Sequence, residues 1–321
     1  MRRRGLLAAA ACCAFTRTGQ AQTTWPARPI TLVVPFAPGG IADITARTVA
    51  QAMAPELGQP IVVDNRPGAG SVVASSAVAR AAHDGYTLLL MSNANAVSTG
   101  LFKKLPFDVV KAFAPITTLG FFDLGVFVAN ASRFRSLQDV VAYASANPGR
   151  LTIASISVGS TQHLAAELFK TKAGIDALIV PYKGTPEVQT AVRNGEVDVA
   201  FEILGPMLPQ LGAKAIQVLA VTSDRRYAAL PQVPTVMEAG VPDYAVASWN
   251  ALAAPAGTPP AVIARLNRVA AGAVAQPAVQ KRLQELGVRT QSGSPQQLAS
   301  LLASEIERWG RVIRAAKIEP E

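Results

Sequence analysis

Short apolar runs alternate with amphipathic stretches along most of the chain. The first run, residues 30–34 (ITLVV), is followed by a loop over 35–40 with two prolines and two glycines, and then by a helical pattern that contains Asp43 and Arg47. Apolar runs of about four to eight residues bounded by turn signals are typical of strands buried on both faces. The prolines end the strand and the glycines allow a sharp turn. The sequence therefore predicts a strand, a tight loop and a helix that begins beside the glycines.

The same alternation continues to the end of the chain and predicts an α/β fold. Further strands are predicted over 60–64, 86–91, 121–129, 151–155, 179–181, 197–201, 216–222 and 245–253, and further helices over 72–82, 137–146, 164–172, 187–194, 260–275, 277–286 and 295–316. Strands that alternate with helices are typical of parallel sheets built from βαβ units.

Two of these strands connect two structural units. The strand at 121–129 leaves the first unit and the strand at 216–222 returns to it, so the chain crosses twice, near Phe127 and near Val221. We therefore expect two α/β domains joined by a two-strand hinge. Domain 1 is predicted to consist of residues 22–126 and 223–321, and domain 2 of residues 127–222.

Small and hydrogen-bonding residues follow several of the predicted strands. In an open α/β sheet, ligands bind at the edge where the carboxyl ends of the strands meet. A helix that begins there presents unpaired N–H groups, which suit an anionic oxygen. The candidate ligand-binding residues are Phe36, Ala37, Gly39, Gly40, Asp43, Gly68, Ala69, Ser71, Ser92 and Asn93 in the first unit, and Ser160, Thr161, Gln162, His163, Lys183 and Glu202 in the second.

Each candidate also has a purely structural interpretation. The loop 35–40 could be an ordinary turn, because its spacing matches neither the dinucleotide fingerprint nor the P-loop. Asp43 fits a helix-capping role as well as a ligand contact. His163 could orient its own loop or reach a ligand from the first turn of its helix, and Lys183 could be plain surface.

The N-terminal segment has the features of an export signal. Three arginines at positions 2–4 precede an apolar stretch over 5–15, and residues 19–21 (GQA) form a small-residue cleavage site. The apolar stretch is too short to span a bilayer. We therefore expect an exported protein whose signal, residues 1–21, is cleaved near Ala21; the arginine pair leaves Sec and twin-Arg export open.

Composition and charge argue against several functions. Both cysteines, Cys12 and Cys13, lie in the export segment, so the mature chain has no disulfide and no thiol chemistry. Removing the four arginines of residues 1–21 lowers the net charge from +9 to +5, and the remaining charges are scattered. Nucleic acid binding is therefore not expected. In the absence of a Cys/His cluster we also expect neither a metal site nor a cofactor.

The sequence also offers little for an enzyme. The segment around Ser160 is not a G-x-S-x-G elbow. A hydrolase built from Ser160, His163 and Asp198 would require these three side chains to converge. Ser160 and His163 both lie at the start of one predicted helix, and Asp198 is distant in sequence. Catalytic residues are therefore not assigned.

Seven motifs, in order, resemble the Bug family, the solute receptors of tripartite tricarboxylate transporters. They lie in residues 25–43, 63–70 (VDNRPGAG), 84–89 (DGYTLL), 161–165 (TQHLA), 180–184 (VPYKG), 230–240 (LPQVPTVMEAG) and 254–259 (APAGTP). The resemblance covers essentially the whole mature chain. It implies a periplasmic binding protein (type II-like), with two α/β domains joined by a two-strand hinge and the ligand cleft between them.

The resemblance also implies a function. It implies that a small carboxylate is held largely by backbone amides and bridging water, and is delivered to the membrane permease subunits of a tripartite tricarboxylate transporter. A receptor that presents its ligand to a sensor protein is the alternative, and a hydrolase-like enzyme comes third. We expect a monomer.

Two departures from the family pattern concern the ligand. Ser71, Val72 and Val73 follow Gly70 where glycines usually continue, and Glu202-Ile203 replaces an Asp-Asn pair. If Glu202 faces the cleft, the ligand should carry an amino or other donor group. Otherwise Glu202 is paired with Lys183, or it turns to solvent or to a neighbouring backbone group.

Overall fold

The structure is a computed structural model that describes residues 25–320. The expected export signal lies outside these residues. Within residues 25–320, no helix combines the length and the apolarity that a membrane span requires.

The described residues form ten strands, ten α-helices and one short 3₁₀-helix. The strands are β1 (Ile30–Val34), β2 (Ile61–Asn65), β3 (Thr87–Ser92), β4 (Phe113–Ala129), β5 (Leu151–Ile156), β6 (Ala177–Tyr182), β7 (Val199–Ile203), β8 (Ile216–Val221), β9 (Ala247–Pro255) and β10 (Val288–Thr290). The α-helices are α1 (Ile41–Leu57), α2 (Val72–Ala79), α3 (Asn93–Leu101), α4 (Leu137–Ala146), α5 (Thr161–Ala173), α6 (Thr185–Asn194), α7 (Leu204–Gly212), α8 (Pro260–Ala275), α9 (Pro277–Gln284) and α10 (Pro295–Ala315), and the 3₁₀-helix is Ala69–Ser71.

The strands form a mixed sheet in the order β2-β1-β3-β9-β4-β7-β5-β6, with β8 and β10 also paired to β4. β1 pairs in parallel with β2 and β3, and β5 pairs in parallel with β6 and β7. The central strands β9 and β4 run antiparallel to their neighbours. Each unit thus has a parallel βαβ portion whose strand ends meet at one edge, and the predicted α/β fold class is confirmed.

The long strand β4 passes from one unit to the other. Its first part, up to Asp123, pairs with β9, and its last part, from Leu124, pairs with β7 and β8. The chain returns next to this point, because the Thr222 amide donates to the Leu124 carbonyl and the Val246 amide donates to the Thr222 carbonyl. Two stretches therefore cross between the units side by side. The predicted domain boundaries stay a prediction.

Several elements differ from the sequence prediction. β4 begins at Phe113 rather than at residue 121, because its pairing with β9 contains irregularities between Pro115 and Thr117 and between Thr118 and Gly120 that accommodate the proline and the glycine. The helices α3 and α7 were not predicted, since one is rich in Asn and Ser and the other contains Pro206 and Pro209. In both cases packing against the sheet outweighs local propensity.

One hydrophobic core extends across both units. It joins β3 side chains such as Leu89 to β5 and β7 side chains such as Ile153 and Phe201. Tyr244, which is fully buried, packs edge-on against Phe169 and donates its hydroxyl to the carbonyl of Ala165 on α5. The residues that follow β8 therefore help to fix α5.

Candidate ligand-binding site

Five helices begin at the wall of one cavity of about 650 Å³ that lies between the two units. They are α1, α3, α5, α6 and α7. The wall of this main cavity is formed by Phe36, Gly39, Gly40, Ile41, Ala42, Ile44, Ser92, Ala94, Val97, Phe122, Ser248, Asn250, Glu285 and Leu286 from the first unit, and by Ile156, Gly159, Ser160, Thr161, Gln162, Thr185, Ile203, Gly205, Pro206 and Pro209 from the second. Helix N-termini carry partial positive charge, so their convergence favours an anion.

Seven of the candidate residues lie at this wall. They are Phe36, Gly39, Gly40, Ser92, Ser160, Thr161 and Gln162. The remaining candidates do not line the main cavity: Ala37, Asp43, Gly68, Ala69, Ser71, Asn93, His163, Lys183 and Glu202. Four of these, Asp43, Asn93, His163 and Glu202, form hydrogen bonds within the protein.

The loop before α1 presents backbone N–H groups to the cavity. Gly39 has a left-handed φ of 84°, and the N-cap residue Gly40 makes no side-chain hydrogen bond to the helix. Ile41 and Ala42, the first two residues of α1, line the cavity. Because first-turn N–H groups have no partner inside the helix, they are available to a ligand.

Asp43 holds the loop instead of facing the cavity. Its buried carboxylate accepts hydrogen bonds from the Gly39 amide at 2.9 Å, from Arg47 at 3.0 Å and from Asn65 at 2.9 Å, and Asn65 also donates to the Phe36 carbonyl. Burial opposes ionisation, but the hydrogen bonds from Arg47, Gly39 and Asn65 outweigh it and hold the pKa of Asp43 below its usual value. Asp43 therefore fixes the loop before α1 and leaves the first-turn N–H groups of the helix without a side-chain cap, and its contact with a ligand stays a prediction.

The second glycine-rich loop, 68–71, lies outside the main cavity. Ala69 and Gly70 line a smaller adjoining cavity of about 360 Å³. It shares five lining residues with the main one: Phe36, Ala94, Val97, Gly159 and Ser160. Gly68 and Ser71 line neither of the two. Phe36 of loop 35–40 lines both cavities, so the two loops meet at the smaller cavity rather than at the main one, and a ligand contact of loop 68–71 stays a prediction.

A polar bridge links α3 and α5 across the two units. The buried Asn93 amide donates to the Thr161 hydroxyl at 2.9 Å and accepts from the Trp309 indole at 2.8 Å. The Thr161 hydroxyl also lies 3.3 Å from that of Ser248 on β9. Asn93 is thus a connecting residue, and Thr161 both lines the cavity and contacts the opposite unit.

Ser160 and His163 stabilise the start of α5. The Ser160 hydroxyl accepts the His163 amide at 3.0 Å and donates to the Ile156 carbonyl, while His163 Nδ1 accepts the Gly159 amide at 3.3 Å. Burial lowers the pKa of His163 below its usual value. The charge of Glu167 opposes this shift, and that of Lys170 adds to it. His163 therefore orients the loop as a neutral side chain. The Asp198 carboxylate instead pairs with Arg133 at 2.9 Å, so the hydrolase arrangement is not formed.

Glu202 lies behind Gln162. Its carboxylate is fully buried and accepts from the Gln162 side chain and from the Ile203 amide, each at 2.7 Å, while its second oxygen has no partner within the described residues. Burial raises the pKa of Glu202 above its usual value, against these hydrogen bonds. Lys183 is exposed, and within the described range the Glu202 carboxylate accepts from Gln162 and Ile203 rather than from Lys183. The carboxylate therefore positions Gln162 and does not line the main cavity, and its contact with a ligand stays a prediction.

Asn250 is a site residue that the sequence analysis missed. It lies on β9 at the cavity wall with 2% of its surface exposed, and its side-chain nitrogen has no hydrogen-bond partner among residues 25–320. A buried amide donor without a partner is rare in folded proteins and suits a ligand oxygen. A lone asparagine within the apolar run 247–255 is the signal that could have identified it.

The wall is almost free of formal charge. Among its residues only Glu285 is ionisable, and this side chain is half exposed and lies 3.5 Å from Arg282. An anion in the main cavity would therefore be held by neutral donors and helix ends.

Two α/β units joined by two adjacent crossing stretches, with a cavity between them lined by helix N-termini, define a periplasmic binding protein. The family model of the tripartite tricarboxylate transporter family receptors matches residues 45–318. The chain belongs to this family, as its resemblance to the Bug proteins predicted.

Individual relatives are similar to this chain over nearly the full length of both proteins. A protein from the tcbD-tcbE intergenic region of Pseudomonas sp. strain P51 is 38% identical, covering 97% of this chain and 94% of the relative. Protein BugT of Bordetella pertussis is 36% identical over 91% of this chain and 90% of the relative. The solved structure of R. palustris Rpa4515 with adipate has a TM-score of 0.81 and 35% identity, covering 92% of this chain and all of that one.

Proposed function

We propose that this chain is an exported, periplasmic receptor that captures a small carboxylate and delivers it to the permease of a tripartite tricarboxylate transporter. The observation that carries the proposal is the uncapped N-terminus of α1 at the wall of the main cavity. Its backbone donors suit a carboxylate without a cationic side chain. Adipate in the similar R. palustris structure supports the same ligand class.

Capture proceeds by closure of the two units. The crossings near Leu124 and Thr222 serve as the hinge between domain 1, residues 22–126 and 223–321, and domain 2, residues 127–222. The contacts of Thr161 with Asn93 and Ser248 support this proposal, since they join the two units beside the main cavity. Small-angle scattering should show a smaller radius of gyration with saturating ligand than without it. An unchanged radius would mean that binding needs no closure.

Binding is tested with the mature chain from Gln22 onwards. A thermal-shift panel of adipate, malate, citrate, glutamate, phenylacetate and octanoate, followed by calorimetry, should reveal at least one ligand. A ligand at about 100 times its Kd stabilises the protein by ~2.7 kcal/mol. The ligand should be recovered chemically unchanged. The absence of binding by every acid, or consumption of the bound acid, would overturn the proposal.

Delivery is tested in the source bacterium. Deletion of the gene should abolish uptake of the labelled ligand, and the wild-type gene should restore it. If the deletion strain takes up the ligand normally but loses its transcriptional response to the ligand, the partner is a sensor protein rather than a permease.

A further inference from the structure

We propose that the ligand is a monocarboxylate with a largely apolar body, such as an arylalkanoate or a medium-chain fatty acid, rather than a di- or tricarboxylate. This inference rests on the proposed receptor function and concerns the same cavity. It follows from how much charge the wall can stabilise, from what covers the rest of the wall, and from the size of the cavity.

The donors at the wall match one carboxylate. Each helix N-terminus is equivalent to about half a positive charge. α3 and α5 have side-chain caps at Ser92 and Ser160, whereas α1, α6 and α7 have none among the described residues. Prolines at 186 and 206 remove a first-turn N–H from α6 and α7. The complete set of uncapped donors therefore lies at α1.

A second or third carboxylate would have no counter-charge. The described wall contains no lysine, arginine or histidine, and its one ionisable residue, Glu285, repels anions. Burying an ionised carboxylate without a charged or fully hydrogen-bonding partner is strongly unfavourable. Citrate, with three such groups, is the poorest fit.

Most of the remaining wall is apolar. Ile41 and Ile44 come from α1, Ile203 and Pro206 from the start of α7, and Leu286 from the residues after α9. These side chains gain free energy only if the ligand covers them with carbon rather than water. The polar side chains opposite them are largely engaged already, since the Thr161 hydroxyl contacts those of both Asn93 and Ser248.

The size of the cavity agrees with a ligand larger than a four-carbon acid. At about 650 Å³ it lies within the range of sites that enclose drug-sized molecules, roughly 300–1,000 Å³. Malate would leave much of the apolar wall in contact with water. A phenyl ring or an alkyl chain behind the carboxylate would fill it.

The test compares phenylacetate and octanoate with malate and citrate by calorimetry on the mature protein, in wild type and in Ile203→Asn. Asparagine is a good N-cap residue, so the start of α7 should form in the variant. Leu178→Asn on β6 is the matched control, because Leu178 is 58% exposed and lies outside the cavity.

We expect wild type to bind phenylacetate or octanoate at least about tenfold more tightly than malate or citrate. Ile203→Asn should weaken binding of the apolar acid by about tenfold, while Leu178→Asn leaves it unchanged. Tighter binding of malate or citrate in wild type would overturn the apolar-ligand inference and leave the receptor function standing, whatever the folding of the variant. The failure of every acid of the panel to bind, glutamate and adipate included, would overturn both.

Discussion

The N-termini of α1 and α5 face the same cavity from opposite units, yet they have different capping. At α5 the Ser160 hydroxyl accepts the His163 amide, and His163 accepts the Gly159 amide. At α1 no side chain caps the helix within the described residues. A capped end satisfies its own donors and serves to fix the loop. An uncapped end keeps its donors for a ligand.

The comparison also separates residues that look alike in sequence. Both segments contain small residues before a helix, and the one at α5 also contains hydroxyl groups. In the structure its hydroxyls are used internally, and the glycines before α1 leave the backbone open. We therefore propose that the carboxylate binds at the α1 end, and the remaining predictions test this proposal in order of decreasing effect.

Gly40→Val should cause the largest loss of affinity, about 100-fold or more, because a branched side chain would cover first-turn donors that each contribute ~1.5–3 kcal/mol to a charged group. The backbone should tolerate it, since Gly40 has a φ of −78° and an added Cβ would meet only the Ala37 carbonyl at 3.9 Å. Calorimetry measures the affinity and circular dichroism the fold. Gly212→Val is the control, because Gly212 is the last residue of α7 and an added Cβ there would meet no atom within 4 Å. If the affinity of Gly40→Val stays within threefold of wild type, the carboxylate does not bind at the N-terminus of α1.

Asn250→Leu should weaken binding by about tenfold to 100-fold without lowering thermal stability, because the amide nitrogen has no partner to lose inside the protein. Asn267→Leu provides the contrast. Asn267 donates to the carbonyls of Ile116 and Gly293 at 2.8 Å, so its loss should lower the melting temperature and spare binding. If Asn250→Leu is destabilised and binds normally, Asn250 is a structural residue.

Thr161→Val should weaken binding by about three- to tenfold. The substitution keeps the shape of the side chain and removes the hydroxyl that Asn93 and Ser248 contact, a loss of roughly 1 kcal/mol. Thr190→Val on α6, whose hydroxyl bonds only to the Pro186 carbonyl, is the matched control. Equal affinities for both variants and wild type would show that this link across the units contributes nothing to capture.

Glu202→Gln should change affinity by less than about threefold, because glutamine can still accept from Gln162 and the Ile203 amide. A ligand amino group at Glu202 would instead make the loss tenfold or more.

The same substitution should affect stability in a pH-dependent way. Burial raises the folded-state pKa of Glu202, so wild type is relatively most stable below the unfolded value of about 4.3 and loses that stability as pH rises through the folded value. Glu202→Gln should therefore raise the melting temperature near neutral pH, and the gain should shrink as pH falls. Glu56→Gln, an exposed change, is the control. A gain that grows in acid would contradict the buried assignment.

Much of the fold follows from local patterns. The run 30–34, the loop after it and the helix from Ile41 were predictable because each depends on neighbouring residues. α3 was missed because its asparagines and serine are stabilised by a capping box from Ser92 and Asn95 and by packing. α7 was missed because it contains Pro206 and Pro209, which argue against a helix in the sequence but are accommodated in the structure.

The site was only partly predictable for a related reason. Gly40 and Thr161 lie where strand ends and helix starts place them. Asn250 belongs to a strand from the far end of the chain, and its position at the wall depends on the antiparallel pairing of β9 between β3 and β4. The side chain of Glu202 is turned behind Gln162 by hydrogen bonds between different elements, which no local pattern encodes.

A crystal structure of the mature protein with its tightest-binding carboxylate tests the assignment most directly. We predict carboxylate oxygens within hydrogen-bond distance of the Ile41 and Ala42 amides, no lysine or arginine side chain in contact with them, and the body of the ligand against Ile203 and Leu286. A carboxylate bound instead to Lys183, or to the hydroxyls at the capped start of α5, would contradict the account.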